Sequence, residues 1–197
     1  MCFLSGFVAV SIQAETLQYE LSREDRSKLT YYLTKNTYPS EKLLVLIQGS
    51  DCNSVFYNKN INETFSRVIN NKDVLTVEKY GINKELKWSD ETERSDCPQS
   101  YLNHDSPKQR AEDIKQVLKQ VLNEKNYDKL VVLGGSEGAL VANMVAAVVP
   151  EIDQTVVING GGRWFVDDVL HNIELTTPPE AIVPAKEGFL GFKQHIL

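Results

Sequence analysis

The chain has 197 residues, enough for one domain with a sizeable hydrophobic core. Its net charge of −6 gives no support for nucleic acid or an anionic membrane surface as a partner. No apolar run reaches the roughly 20 residues that a membrane-spanning helix needs.

From the N-terminus, Cys2 to Ala14 contains no charged residue, and Ala14 precedes the charged Glu15. This reads as a candidate secretory signal peptide over 1–14, although a basic leading segment is missing; the alternative is a hydrophobic first strand. With that segment removed, Cys52 and Cys97 remain as an even pair. Both stand in polar loops, Ser50-Asp51-Cys52-Asn53 and Ser95-Asp96-Cys97-Pro98, whereas buried free thiols usually have apolar neighbours. A disulfide in an oxidising compartment, periplasmic or secreted, is therefore expected; two unrelated thiols and a cytoplasmic location are the alternative. No C-x-x-C or H-x-x-x-H spacing occurs, so neither a metal site nor a cofactor is expected.

Thr16–Leu21 and Lys28–Leu33 have strand composition, with Ser22–Arg26 as the hairpin turn between them. Leu43–Ile47 is a continuous apolar run, as expected of a central parallel strand covered on both faces. It ends in Gln48-Gly49-Ser50-Asp51. Ile61–Ile69 is read as a short helix and Val74–Val77 as a strand; Asn62-Glu63-Thr64 is a glycosylation sequon, relevant only in a eukaryotic secretory route. Gly81–His104 is a long polar loop without periodicity, in which Trp88 and Tyr101 either line a pocket or pack the loop to the body.

Ser106 as N-cap and Pro107 at the first helical position open the clearest helix. Ile114, Val117, Leu118, Val121 and Leu122 repeat along it at helical spacing, with charged residues assigned to the outer face. The stretch Lys129–Ala142 then reads K-L-V-V-L-G-G-S-E-G-A-L-V-A. An apolar strand, a G-x-S-x-G turn and a helix of small apolar residues follow directly on one another. That context gives the motif a mechanism: Ser136 stands on a sharp strand-to-helix turn with its hydroxyl outward and the N–H of Glu137 beside it. Ala139–Val149 is the helix, stopped by Pro150, and Thr155–Ile158 is one more strand. Strands alternating with helices predict a doubly wound, mostly parallel α/β sheet. Its ligands would sit at the carboxyl ends of the strands, where Ser136, Gln48–Asp51 and Gly160–Gly162 lie; Arg163 and Trp164 follow at that border.

Two strands, then Leu-Ile-Gln-Gly-Ser, a strand, a helix and Gly-Gly-Ser-Glu-Gly resemble the α/β-hydrolase superfamily over about Thr16 to Gly162, in particular its peptidase-like and acyltransferase-like serine hydrolases. The resemblance implies a nucleophilic Ser136. It also implies an oxyanion hole from two backbone N–H groups, one of Glu137 and the other of Ser50 or Asp51. Many members have His-Gly where this chain has Gln48-Gly49.

A serine needs a histidine base and an acid to orient that base, in the superfamily order Ser, Asp or Glu, His. Arg163–Leu197 reads as helical or irregular, without a further pair of strands. His104 precedes the elbow in a polar loop. His171 follows Asp167 and Asp168 at i+4 and i+3, a helix-surface pairing. His195 is in the right order for the base. Asp167, Asp168, Glu174, Glu180 and Glu187 are the available acids. The expectation is a single domain, 15–197, incomplete at its C-terminus. It is either a serine hydrolase of small-molecule esters, thioesters or peptides, or an inactive α/β-hydrolase-like fragment or binding module.

Overall fold

Strand β3 (Lys42–Ile47) shows why the layers form: Leu43, Val45 and Ile47 enter one buried cluster, Leu44 and Leu46 another. Side chains alternate along a strand, so an unbroken apolar run is a strand with both faces covered. A computed structural model describes residues 15–91, 94–160 and 165–196. The candidate signal peptide, 1–14, lies outside them, as do Arg163 and Trp164.

β1 (Glu15–Ser22) and β2 (Lys28–Lys35) form an antiparallel hairpin in which Glu15 faces Lys35 and Ser22 faces Lys28. β2 also pairs antiparallel with β4 (Asp73–Val77). The remaining neighbours are parallel: β4 with β3, β3 with β5 (Lys129–Gly135), and β5 with β6 (Gln154–Ile158). The order across the sheet is β1-β2-β4-β3-β5-β6. From β3 the chain runs to β4 on one side, and from β5 to β6 on the other. The carboxyl ends of β3 and β5 therefore border a topological switch point, where open α/β sheets place their ligands.

The helices that pack with this sheet or precede its strands among the described residues are α1 (Gln99–His104), α2 (Pro107–Glu124) and α3 (Glu137–Ala146). Ser106 caps α2 by accepting from the Gln109 N–H at 3.1 Å, with Pro107 in the first turn. Ile114, Val117, Leu118 and Val121 of α2 and Val141, Ala142 and Val145 of α3 share a cluster with Leu43, Val45, Leu130 and Val132. On the opposite face Val55 and Ile61 cover Leu44, Leu46, Val131 and Leu133.

Three local expectations are corrected. Ile61–Ile69 is a turn of π-helix, Asn60–Thr64, running into a 3-10 turn, Phe65–Arg67. The Gly81–His104 loop ends in α1, which is too short for periodicity to reveal. The outer-face assignment of charges in α2 fails at Arg110 and Asp113, both buried. The amide of Asn62 in the sequon is itself engaged, donating to the carbonyls of Val55 at 2.9 Å and Phe56 at 3.0 Å.

The contacts divide the chain at Gly160–Gly161. In the second unit α4 (Phe165–Thr176) packs on α5 (Ile182–Ile196), and Lys186 donates to the Glu174 carboxylate.

The hairpin turn is fixed to α2 by a buried pair: Arg23 Nε and Nη2 donate to the two Asp113 oxygens at 2.8 Å each, with side chains 5% and 3% exposed. Removing one partner leaves an uncompensated buried charge. Asp113→Ala is expected to lose about 3–5 kcal/mol in urea unfolding, and the apolar pair Arg23→Met/Asp113→Leu markedly less.

Candidate active site

β5 delivers the chain to Ser136, whose φ of 55° and ψ of −128° lie in a region that L-residues rarely occupy. Two hydrogen bonds hold it there. Its N–H donates to the Ile158 carbonyl at the end of β6 (2.9 Å), and its own carbonyl accepts from the Ala139 N–H (2.9 Å), opening α3. The residue is exposed although the strand before it is buried.

The glycines of the motif are set by crowding. A Cβ on Gly134 would stand 2.0 Å from the Gly138 carbonyl oxygen, and one on Gly138 would stand 2.5 Å from the Ile47 oxygen and 2.7 Å from that of Gln48. The intervening Gly135 has only the Ile158 oxygen at 3.9 Å. The first turn of α3 thus rides directly over the end of β3. The same approach brings the β3 loop to the serine: a Cβ on Gly49 would lie 3.4 Å from Ser136 Cβ and 3.8 Å from its Oγ. Glu137 opens α3, so its N–H is one of the first-turn donors that lack an acceptor inside the helix.

Charged groups lie behind this surface. Arg110 Nη1 donates to Glu137 Oε2 at 2.9 Å, and its Nη2 donates to the Gln48 carbonyl. Gln48 Nε2 donates to Asp51 Oδ1 and, at 3.2 Å, to the Asn53 carbonyl. Lys79, beyond the end of β4, donates to the Asp51 carbonyl and to Asp51 Oδ1 at 3.1 Å. Burial pushes the Lys79 ammonium below the usual lysine range, with the Asp51 carboxylate pulling it back. Burial pushes the Asp105 carboxyl up, against the pull of Arg110 and Lys79. Its buried Oδ1 has no hydrogen-bond partner among the described residues.

Cys52 and Cys97 form the expected disulfide, joining the β3 loop to the segment before α1. Beside it is a cavity of about 630 Å³ lined by Ser50, Asp51, Cys52, Cys97, Trp88 and Tyr101 among others. Trp88 and Tyr101 are both among the residues that line it. Burial, then the nearby Asp105 carboxylate, pushes the Tyr101 phenol up to about 12, so it stays protonated near neutral pH.

The three histidines are dispersed over the elements. His104 closes α1, with its ring stacked on Tyr80 at 4.6 Å and Nδ1 2.9 Å from the Ser100 carbonyl. His171 lies in α4, and the partner found for it is Glu174, 3.8 Å away, on the opposite side in sequence from Asp167 and Asp168. His195 falls in α5, and its side chain lies outside the described set. Asp167 and Asp168 stand in the first turn of α4, Glu180 in a 3-10 turn and Glu187 in α5. Among the described residues no cluster of His, Cys, Asp and Glu is arranged to hold a metal ion.

Sequence reasoning missed Arg110, Lys79 and Asp105. One signal was available for Arg110: it stands four residues before Ile114, on the continuation of the apolar stripe of α2.

No family model matches the sequence, and no curated protein does. Solved structures do. An esterase of Pyrococcus furiosus superposes with a TM-score of 0.58 at 18% identity, over 95% of this chain and 65% of that one. The chain has the α/β-hydrolase fold. A lidless α/β serine hydrolase of Xanthomonas campestris gives 0.55 at 15% identity, over 76% of this chain and 64% of that one. A bottromycin epimerase gives 0.51 at 16% identity, over 88% and 62%, so one fold carries more than one chemistry. The chain spans 54–65% of the length of the Pyrococcus furiosus esterase chains.

The crowding separates the glycines by cost. Gly134→Ala and Gly138→Ala meet rigid backbone and are expected to lose about 3 kcal/mol or more, or soluble protein altogether. Gly135→Ala is expected to change stability by less than about 1 kcal/mol. Thermal unfolding of the three variants checks the order.

Proposed function

We propose that this chain is a serine hydrolase that opens an ester, thioester or peptide bond through an acyl-enzyme on Ser136. The observation that carries the reading is the exposed Ser136, held at positive φ at the switch point, with the first turn of α3 on one side and the Gly49 loop on the other. The strain keeps the hydroxyl outward, and each flanking backbone offers N–H donors to an anion beside it.

In this reading Ser136 Oγ attacks the carbonyl carbon of the substrate while a histidine takes its proton. The carbonyl oxygen becomes an oxyanion held by the N–H of Glu137 and that of Ser50 or Asp51. Collapse expels the alcohol, thiol or amine, which leaves with the proton, and water then releases the acid by the same steps. His195 is the proposed base, from the chain order of the superfamily. The cavity beside Ser50 and Asp51 is the proposed seat of a small-molecule substrate. The Cys52–Cys97 disulfide supports a periplasmic or secreted location. No helix among the described residues is long and apolar enough to cross a membrane.

A fluorophosphonate probe tests the nucleophile. The folded chain is expected to label to completion at Ser136 and Ser136→Ala not at all. His195→Ala is expected to slow labelling by at least about 100-fold. A folded chain that does not label is a non-catalytic member of the fold.

A further inference from the structure

Gln48 and Asp51 enclose the dipeptide Gly49-Ser50, and each has its backbone carbonyl held by a buried cation. Arg110 Nη2 donates to the Gln48 oxygen and Lys79 Nζ to the Asp51 oxygen, with cation side chains 5% and 3% exposed. Each cation makes a second contact. The other branch of Arg110 takes the Glu137 carboxylate at 2.9 Å, and Lys79 takes Asp51 Oδ1 at 3.1 Å. Gln48 Nε2 closes the loop on itself through Asp51 Oδ1. Arg110 therefore ties the backbone of the β3 loop, at the Gln48 carbonyl, to the side chain of Glu137 at the start of α3.

Burying two like charges this close is unfavourable for folding, and apolar packing would avoid that cost. The arrangement has a consequence that apolar packing lacks. The C=O and N–H of a trans peptide point in opposite directions, so holding the Gln48 and Asp51 carbonyls fixes the N–H groups of Gly49 and Cys52, the two peptide planes on either side of the Ser50 and Asp51 donors. A loop carbonyl turned toward Ser136 would present the negative end of its dipole to a forming oxyanion. With the Gln48 and Asp51 carbonyls each engaged by a cation, the two peptide units between them, which carry the Ser50 and Asp51 N–H groups, have fewer ways to turn.

We propose that Arg110 and Lys79 are positioning residues that hold the Gln48–Asp51 loop and the elbow in register as a preformed oxyanion hole; the proposal rests on Ser136 being the nucleophile. Arg110 supplies the link between the two halves, and Lys79 anchors the far end of the loop.

The test uses the full chain with Arg110→Met and Lys79→Met, a fluorophosphonate probe and p-nitrophenyl butyrate. Oxyanion donors act in the transition state and little in the ground state, so kcat is expected to fall about 10- to 100-fold with KM within about twofold. The labelling rate per site should fall in parallel, while the final stoichiometry stays at one probe per chain. A purely structural role would instead lower the labelled fraction and leave the per-site rate unchanged, which would overturn the proposal. Should Arg110→Met not fold, Arg110→Lys carries the same readout, since it keeps a cation but loses the fork that bridges Gln48 and Glu137. Its per-site rate is expected to fall, and an unchanged rate would again overturn the clamp. A wild-type chain that does not label removes the nucleophile itself, a result distinct from a labelled wild type with unaffected variants.

Discussion

The close approach of the first turn of α3 to the end of β3 governs this molecule. Gly138 lies against the carbonyls of Ile47 and Gln48, and Gly134 lies against the carbonyl of Gly138, at distances where no Cβ fits. Because α3 is held down against the end of β3, the chain leaving β5 must turn into it within one residue. Ser136 takes that turn at positive φ, and the bonds to Ile158 and Ala139 hold it there. The motif is thus a packing solution before it is a chemical one: glycines admit the backbone, and the residue at the apex is exposed as a result.

Charge placement follows from the same approach. Where two polypeptide segments meet closely, their carbonyls are buried and need donors. Arg110 and Lys79 supply them from α2 and from beyond β4, so the polar network behind the elbow satisfies the backbone that the crowding buries. The Cys52–Cys97 bridge adds a covalent tie from the same loop to the segment leading into α1, on the wall of the adjoining cavity. Loop, elbow and pocket are consequently one connected assembly on the first unit of the chain.

Much of this was legible in the sequence where the signal is local. Leu43–Ile47 announced a strand covered on both faces, Ser106-Pro107 announced a helix start, and the strand–glycine–serine–helix order announced the elbow. The polar surroundings of Cys52 and Cys97 pointed to a disulfide. What stayed hidden depends on distant partners. The insertion of β4 between β2 and β3 is a pairing choice across the sheet, which no window of residues records. Arg110 and Asp113 look like any charged helix residues until Gln48, Glu137 and Arg23 are brought to them. Lys79 resembles a loop lysine, and its role appears only when Asp51 is folded over it. Trp88 and Tyr101 could be read as pocket or packing, and their place on the wall of the cavity beside the disulfide depends on loop contacts that no local window records. His171 was expected to face Asp167 and Asp168, but i+3 neighbours exist in both directions along a helix, and Glu174 is the one it meets.

In the proposed function the crowded elbow presents Ser136 to a preformed pair of backbone donors. A crystal structure of the chain after fluorophosphonate reaction tests it most directly. The prediction is a phosphonyl group on Ser136 Oγ, with its oxygen about 3 Å from the Glu137 nitrogen and from the nitrogen of Ser50 or Asp51. An adduct whose oxygen points to solvent, away from both backbones, would contradict it.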